Sequence, residues 1–157
     1  MRALLATIFL LLPLMMGCAT PSKADLDAEV KRLCAIDGGI RVYETIAMSP
    51  DKFNEWGQVN FFRASQGENA LGPEYRFKWD QQYLYGREHT TRHSGEISMR
   101  RDHFQVMRKV DGKLLGELVT YHRAGGDLPG PWNPSSYRCP EADESRETEL
   151  MRRIFTR

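Results

Sequence analysis

The sequence predicts an α+β domain, an antiparallel sheet of four to six strands with an N-terminal helix packed on one face. Three observations predict it. Leu26, Val30, Leu33 and Cys34 recur at helical spacing early in the chain. A long stretch rich in aromatic residues follows, Tyr75 to Tyr85, with Tyr75, Phe77, Trp79, Tyr83 and Leu84. Ile97–Val110 and Lys113–His122 then flank Asp111-Gly112, a strong signal for a hairpin turn.

The segment before the domain is of a different kind. Arg2 precedes an apolar run from Ala3 to Met16, and Gly17-Cys18 ends it. A helix over that run spans roughly 21 Å, well short of the ~30 Å hydrocarbon core of a bilayer. Its length suits the hydrophobic region of a secretory signal, and Pro13 argues against an ordinary buried helix. Met15-Met16-Gly17-Cys18 resembles the lipobox of bacterial lipoproteins, with Gly17 and Cys18 matching and Met15 and Met16 departing from the usual residues. The resemblance implies removal of residues 1–17, acyl chains on Cys18 and a lipid bilayer as partner. Two or more chains make such anchoring stable without a membrane-spanning helix. Ala19, rather than Asp, after the cysteine implies the outer membrane, with the domain facing the periplasm. The alternative is ordinary secretory cleavage near Ala19 or Thr20.

The expected layout is a signal peptide over 1–17, a tether over 18–23 and a single domain over 24–157. Arg2 is the only charge that processing removes, so the mature chain carries 21 basic and 21 acidic residues. A neutral chain lacks the positive field that non-specific nucleic-acid binding requires, so no nucleic-acid partner is expected.

Within the domain, Ser22 is placed to cap the first helix with Asp25 three residues on, and Gly38-Gly39 ends it. Ile40 to Ile46 alternates as a strand, with Ile40, Val42 and Ile46 on one face. Ser49-Pro50 reads as a helix start leading to a short turn through Phe53 and Trp56. A second strand is expected over 58–62, then a loop over 67–74 and the long strand 75–85. In the hairpin register set by a two-residue Asp111-Gly112 turn, Phe104 faces Val119, Met107 faces Gly116 and His103 lies opposite Thr120. Residues 124–136 form a Gly/Pro-rich loop, expected to cover a sheet end with Trp132 in the core; the alternative is a loop that binds a ligand or partner. Acids at 141–144 and bases at Arg152-Arg153 suit the dipole of a final helix, with Leu150, Met151, Ile154 and Phe155 as its apolar stripe.

The chain has three cysteines. With Cys18 acylated, Cys34 and Cys139 remain, and an even remainder in an oxidising compartment predicts a disulfide. It would close a loop of about 105 residues, for which chain entropy gives at most about 4.7 kcal/mol. The alternative is two separate buried thiols.

Chemistry-bearing motifs are few. Ser49-Pro50-Asp51-Lys52 has the Ser-x-x-Lys spacing of penicillin-recognising enzymes but lacks their partner motifs. His89 and His93 are four apart, yet Thr90-Thr91 between Gly86 and Gly95 favours a loop. In the Asp-Gly register, His103 and His122 share a face and approach diagonally, with no carboxylate assigned to orient either ring. Asp102 and His103 point to opposite faces and form no dyad. The histidines read as surface residues, and no metal site, cofactor or catalytic set is predicted.

Three stretches resemble a group of small proteobacterial lipoproteins: Cys34–Gly39 with Val42-Tyr43-Glu44, Leu71–Tyr75, and Gly112–Glu117 continuing through Gly125-Gly126-Asp127 to Cys139-Pro140. The resemblance implies a shared domain and no particular chemistry. The leading expectation is a non-enzymatic binding or accessory module of the envelope, with an envelope protein as a further partner. The alternative is a small envelope hydrolase using His103 or His122.

Overall fold

A computed structural model describes residues 20–87, 95–128, 130, 133–141 and 146–157. The first helix, α1 (Lys23–Asp37), starts as its sequence dictates. The Ser22 hydroxyl accepts the Asp25 amide, and the Asp25 carboxylate accepts the Ser22 amide in return. Gly38 ends it, its N–H donating to the Cys34 carbonyl. Of the apolar stripe, Leu26 and Val30 are buried, and Leu33 and Cys34 pack beside them.

The main sheet has five strands: β1 (Gly39–Val42), β3 (Tyr75–Tyr85), β4 (Ile97–Arg108), β5 (Leu114–Gly125) and β6 (Ser136–Cys139). All of its pairings are antiparallel. β5 is the central strand. One edge pairs with β4 along its length, and the other is shared, β1 taking residues 116–119 and β6 taking 121–124. β3 is the far edge strand. A short parallel pair, β2 (Ile46–Ala47) with β7 (Phe155–Thr156), lies apart from the main sheet.

The hairpin register is one residue away from the sequence expectation. Phe104 pairs with Leu118, His103 with Val119 rather than Thr120, and Met107 with Leu114 across an irregularity. Two changes combine. Arg108 N–H bonds to the Lys113 carbonyl, so four residues, not two, lie in the loop, an even change that by itself keeps the faces. Met107 then pairs with Leu114 but Val106 with Gly116, so Leu115 is an extra residue in β5, and this bulge makes the net shift one residue. Asp111 caps the loop by accepting the Lys113 amide, and the Lys109 N–H turns away to the Glu74 carbonyl. A slip of one residue exchanges the faces of one strand relative to its neighbour. Here it aligns Phe104 and Val106 with Leu118, and Met99 with Val119 and Tyr121, so each face gains its own apolar cluster.

α1 covers one half of one face, over Met99, Val119 and Tyr121. The second helix, α2 (Glu147–Ile154), covers the diagonally opposite half of the other face. Its Leu150, Met151 and Ile154 are buried with Phe77, Val106, Leu115 and Leu118. Full burial of such a side chain contributes about 1.5–3 kcal/mol. Gly116 makes the approach of α2 feasible, since a Cβ there would lie 2.8 Å from Ile154 Cδ1 and 2.9 Å from the Arg41 carbonyl oxygen.

Other expectations are corrected. The strand expected over 40–46 is broken, because Tyr43 and Glu44 both donate their N–H to the Leu115 carbonyl and the chain turns before β2. The strand expected over 58–62 is reduced to one bridge, Phe53 with Val59. The Ser49-Pro50 start yields one 3-10 turn, Pro50–Lys52, and Trp56 lies exposed in the next turn. Part of the loop expected over 124–136 is strand, at Ala124, Gly125 and Ser136. The expected core position of Trp132 falls outside the described residues.

Candidate functional site

Because each helix covers only half a face, each face leaves a polar half in the middle of the sheet. On the α1 side, Arg41 from β1, His103 from β4 and Glu117 from β5 converge. His103 Nε2 lies 2.6 Å from Glu117 Oε2, while Glu117 Oε1 accepts Arg41 Nη1 at 3.0 Å and the Tyr43 hydroxyl at 2.5 Å. Burial alone would raise the Glu117 pKa. The hydrogen bonds from Tyr43, His103 and Arg41 outweigh it and hold the carboxyl below its ordinary value. A carboxylate only accepts, so the proton of the short contact belongs to His103 Nε2. A second knot adjoins the first: Asp37, the last residue of α1, accepts the Tyr121 hydroxyl at 2.6 Å and Arg101 Nη2 at 3.1 Å. Asp37 is likewise lowered by these two donors against the opposing effect of burial.

The other face carries Trp79, Gln81, Arg100, Asp102, Phe104 and His122. Asp102 is nearly buried, and three side chains donate to its carboxylate: Trp79 Nε1 at 3.2 Å, Gln81 Nε2 at 2.9 Å and Arg100 Nε at 3.1 Å. The Trp79 ring stacks on Phe104 with centroids 5.8 Å apart and planes 11° from parallel. It is nevertheless 56% exposed. His122 sits between Arg100 on β4 and Arg138 on β6. Burial first, and then these two cations, press its pKa down to about 4, so the ring is neutral at pH 7.

The sheet end beside the start of α1 is closed by charge. Arg123 is 2% exposed and is gripped by Asp27 of α1 at 2.7 and 3.1 Å and by the carbonyls of Gly125 and Ser135. Asp127 accepts Lys23 Nζ at 2.8 Å and the Ser135 amide at 2.6 Å, which lowers its pKa to about 2. The described residues of the Gly/Pro-rich loop are thereby tied to the helix and to β5.

The positions predicted from sequence are distributed as follows. Cys34 and Cys139 are joined by a disulfide, Cα atoms 6.0 Å apart, which ties the end of α1 to β6. Cys18, His89 and His93 fall outside the described residues. The shared face expected of His103 and His122 is corrected. The one-residue slip sends them to opposite faces, His103 beside Glu117 and His122 beside Arg100. Both rings are half-buried in inner strands, not surface residues. The roles of Glu117, Asp102, Asp27 and Asp127 were not legible in the sequence, because their partners lie on other elements. Trp79 lies in a strand with four other aromatic residues, so nothing local set it apart.

Among the described residues, no three His, Cys, Asp or Glu side chains gather as a metal site. Also among them, no helix is long and apolar enough to cross a membrane. No family of known proteins, no curated protein and no solved structure matches the chain.

Proposed function

We propose that this chain is a lipid-anchored envelope module, held by acyl chains on Cys18 at the periplasmic side of the outer membrane and acting by binding rather than by catalysis. One observation carries the reading: Cys34 and Cys139 are bonded to each other. That pairing suits an oxidising compartment. It also leaves Cys18, directly after the apolar run and Gly17, as the single cysteine for a lipid. The polar halves of both sheet faces are held by internal hydrogen bonds, an arrangement suited to a rigid recognition surface.

The experiment is metabolic labelling with a fatty acid, followed by membrane fractionation. The wild-type chain is expected to take up label and sediment with outer membranes, and Cys18→Ser to do neither. Label retained by Cys18→Ser would overturn the reading.

The His103–Glu117 pair favours a second reading, a small envelope hydrolase with His103 as base and Glu117 as its orienting carboxylate. Such chemistry also needs a nucleophile within reach of the ring. The residues flanking His103 in the ladder are Asp80 on β3 and Val119 on β5, neither of them a hydroxyl or thiol. The binding role is therefore preferred. A broad ester and amide substrate screen decides between them: turnover lost in His103→Gln would establish the hydrolase.

A further inference from the structure

The unusual feature of the face opposite α1 is a surface tryptophan fixed as firmly as a core residue. One ring face of Trp79 rests on Phe104, and its only polar atom is spent on Asp102. β3 is the last strand of the sheet, and the ring is 56% exposed, so the second ring face is turned outward. The same Asp102 carboxylate holds Gln81 and Arg100 by one nitrogen each. The Gln81 carbonyl and the outer nitrogens of Arg100 are then the ends turned away from it. A buried carboxylate thus aligns an apolar plate, a carboxamide and a guanidinium on one exposed surface. Organising them beforehand removes much of the entropy cost of binding.

We infer that this surface binds an acidic saccharide, with the C–H face of a pyranose ring on Trp79 and the sugar's carboxylate at Arg100. This deepens the reading of the chain as a binding module and does not depend on the Cys18 anchor. The chemistry selects the ligand class. An aromatic plate offers an apolar area about the size of one sugar ring, and planar amide and guanidinium groups at its edge match neighbouring hydroxyls and a carboxylate. The apolar area is a single ring bordered by polar groups, unlike the broad apolar patch of a protein interface. The Asp102 carboxylate lies buried beneath these groups, and the Arg100 guanidinium that it positions is the cation left facing the ligand.

The test uses the full chain in a sugar-free zwitterionic detergent. A galacturonate hexamer is the acidic probe, an N-acetylglucosamine hexamer the neutral one, and citrate a ringless acid. Binding is read by tryptophan fluorescence and by calorimetry. The acidic hexamer is expected to bind saturably and more tightly than the neutral one. Trp79→Leu keeps an apolar side chain at an exposed position and should weaken binding about tenfold. Arg100→Gln should bring the acidic hexamer down to the affinity of the neutral one. Four results would overturn the inference: no saturable binding, Trp79→Leu binding as wild type does, equal affinity for both hexamers, or displacement by citrate at equal carboxylate concentration. A concentration-dependent dimer abolished by Trp79→Leu would also overturn it, by assigning the plate to a protein contact. Fatty-acid labelling is read on the same preparations, so a lost anchor and a lost site are told apart.

Discussion

Single residues in this fold are specified by what stands across the ladder from them. His122 is neutral because burial and two arginines oppose its proton. The unfolded histidine titrates near 6.5 and the folded one near 4, so between those values the unfolded chain holds more protons. Stability is therefore expected to fall as pH drops from about 6.5 to about 4 and to gain no further loss from this group below that. Thermal unfolding of His122→Gln across that range should show a flatter pH profile than wild type, and an unchanged profile would refute the assignment. Gly116 is fixed by sterics. Gly116→Ala forces Ile154 or the Arg41 carbonyl aside, with an expected loss of about 1–3 kcal/mol in urea unfolding.

At the scale of elements, α1 is tied to the sheet at both ends. At its end is the disulfide. Cys34→Ala is expected to cost about 2–5 kcal/mol and to loosen α1 and β6 before the β4–β5 hairpin, as read by hydrogen exchange. Intact mass of the wild-type protein should rise by two hydrogens on reduction. Freely alkylated thiols in the unreduced protein would rule the bond out. At its start is Arg123 with Asp27. Asp27→Ala strands a guanidinium that is 2% exposed, and about 3 kcal/mol should be lost. Removing both partners, as Arg123→Met with Asp27→Leu, should recover much of that loss, because the unpaired buried charge is then gone. The Asp127 link to Lys23 and Ser135 acts on the same end. Its carboxylate titrates near 2 instead of 3.8, so its contribution is complete above about 3.8 and is lost as pH falls through about 2.

At the scale of the whole molecule, the architecture is a sheet with a half-cover on each face, and that arrangement creates the polar surfaces. The first helix with its cap, the long strand at 75–85, the hairpin, the final helix and the cysteine pair were all legible in the residues. Each rests on a local signal: a period of 3.6 or 2, a capping box, a glycine pair or a count of thiols. The polar networks were not legible, because Glu117 meets His103 and Asp102 meets Trp79 only across strands. Register was the deciding quantity. Asp111-Gly112 announced a turn, but the bond from Arg108 to Lys113 set its length, and the extra residue in β5 at Leu115 moved His103 and His122 to opposite faces. The sharing of one β5 edge by β1 and β6 was likewise a tertiary outcome, in which the disulfide ties β6 to α1 and Arg123 ties Ser135 to Asp27. The sequence by itself determined which segments are helix or strand and which thiols pair, because those depend on near neighbours and on composition. The tertiary structure alone decided which side chains meet, because a one-residue shift costs little along the chain yet exchanges every contact across it.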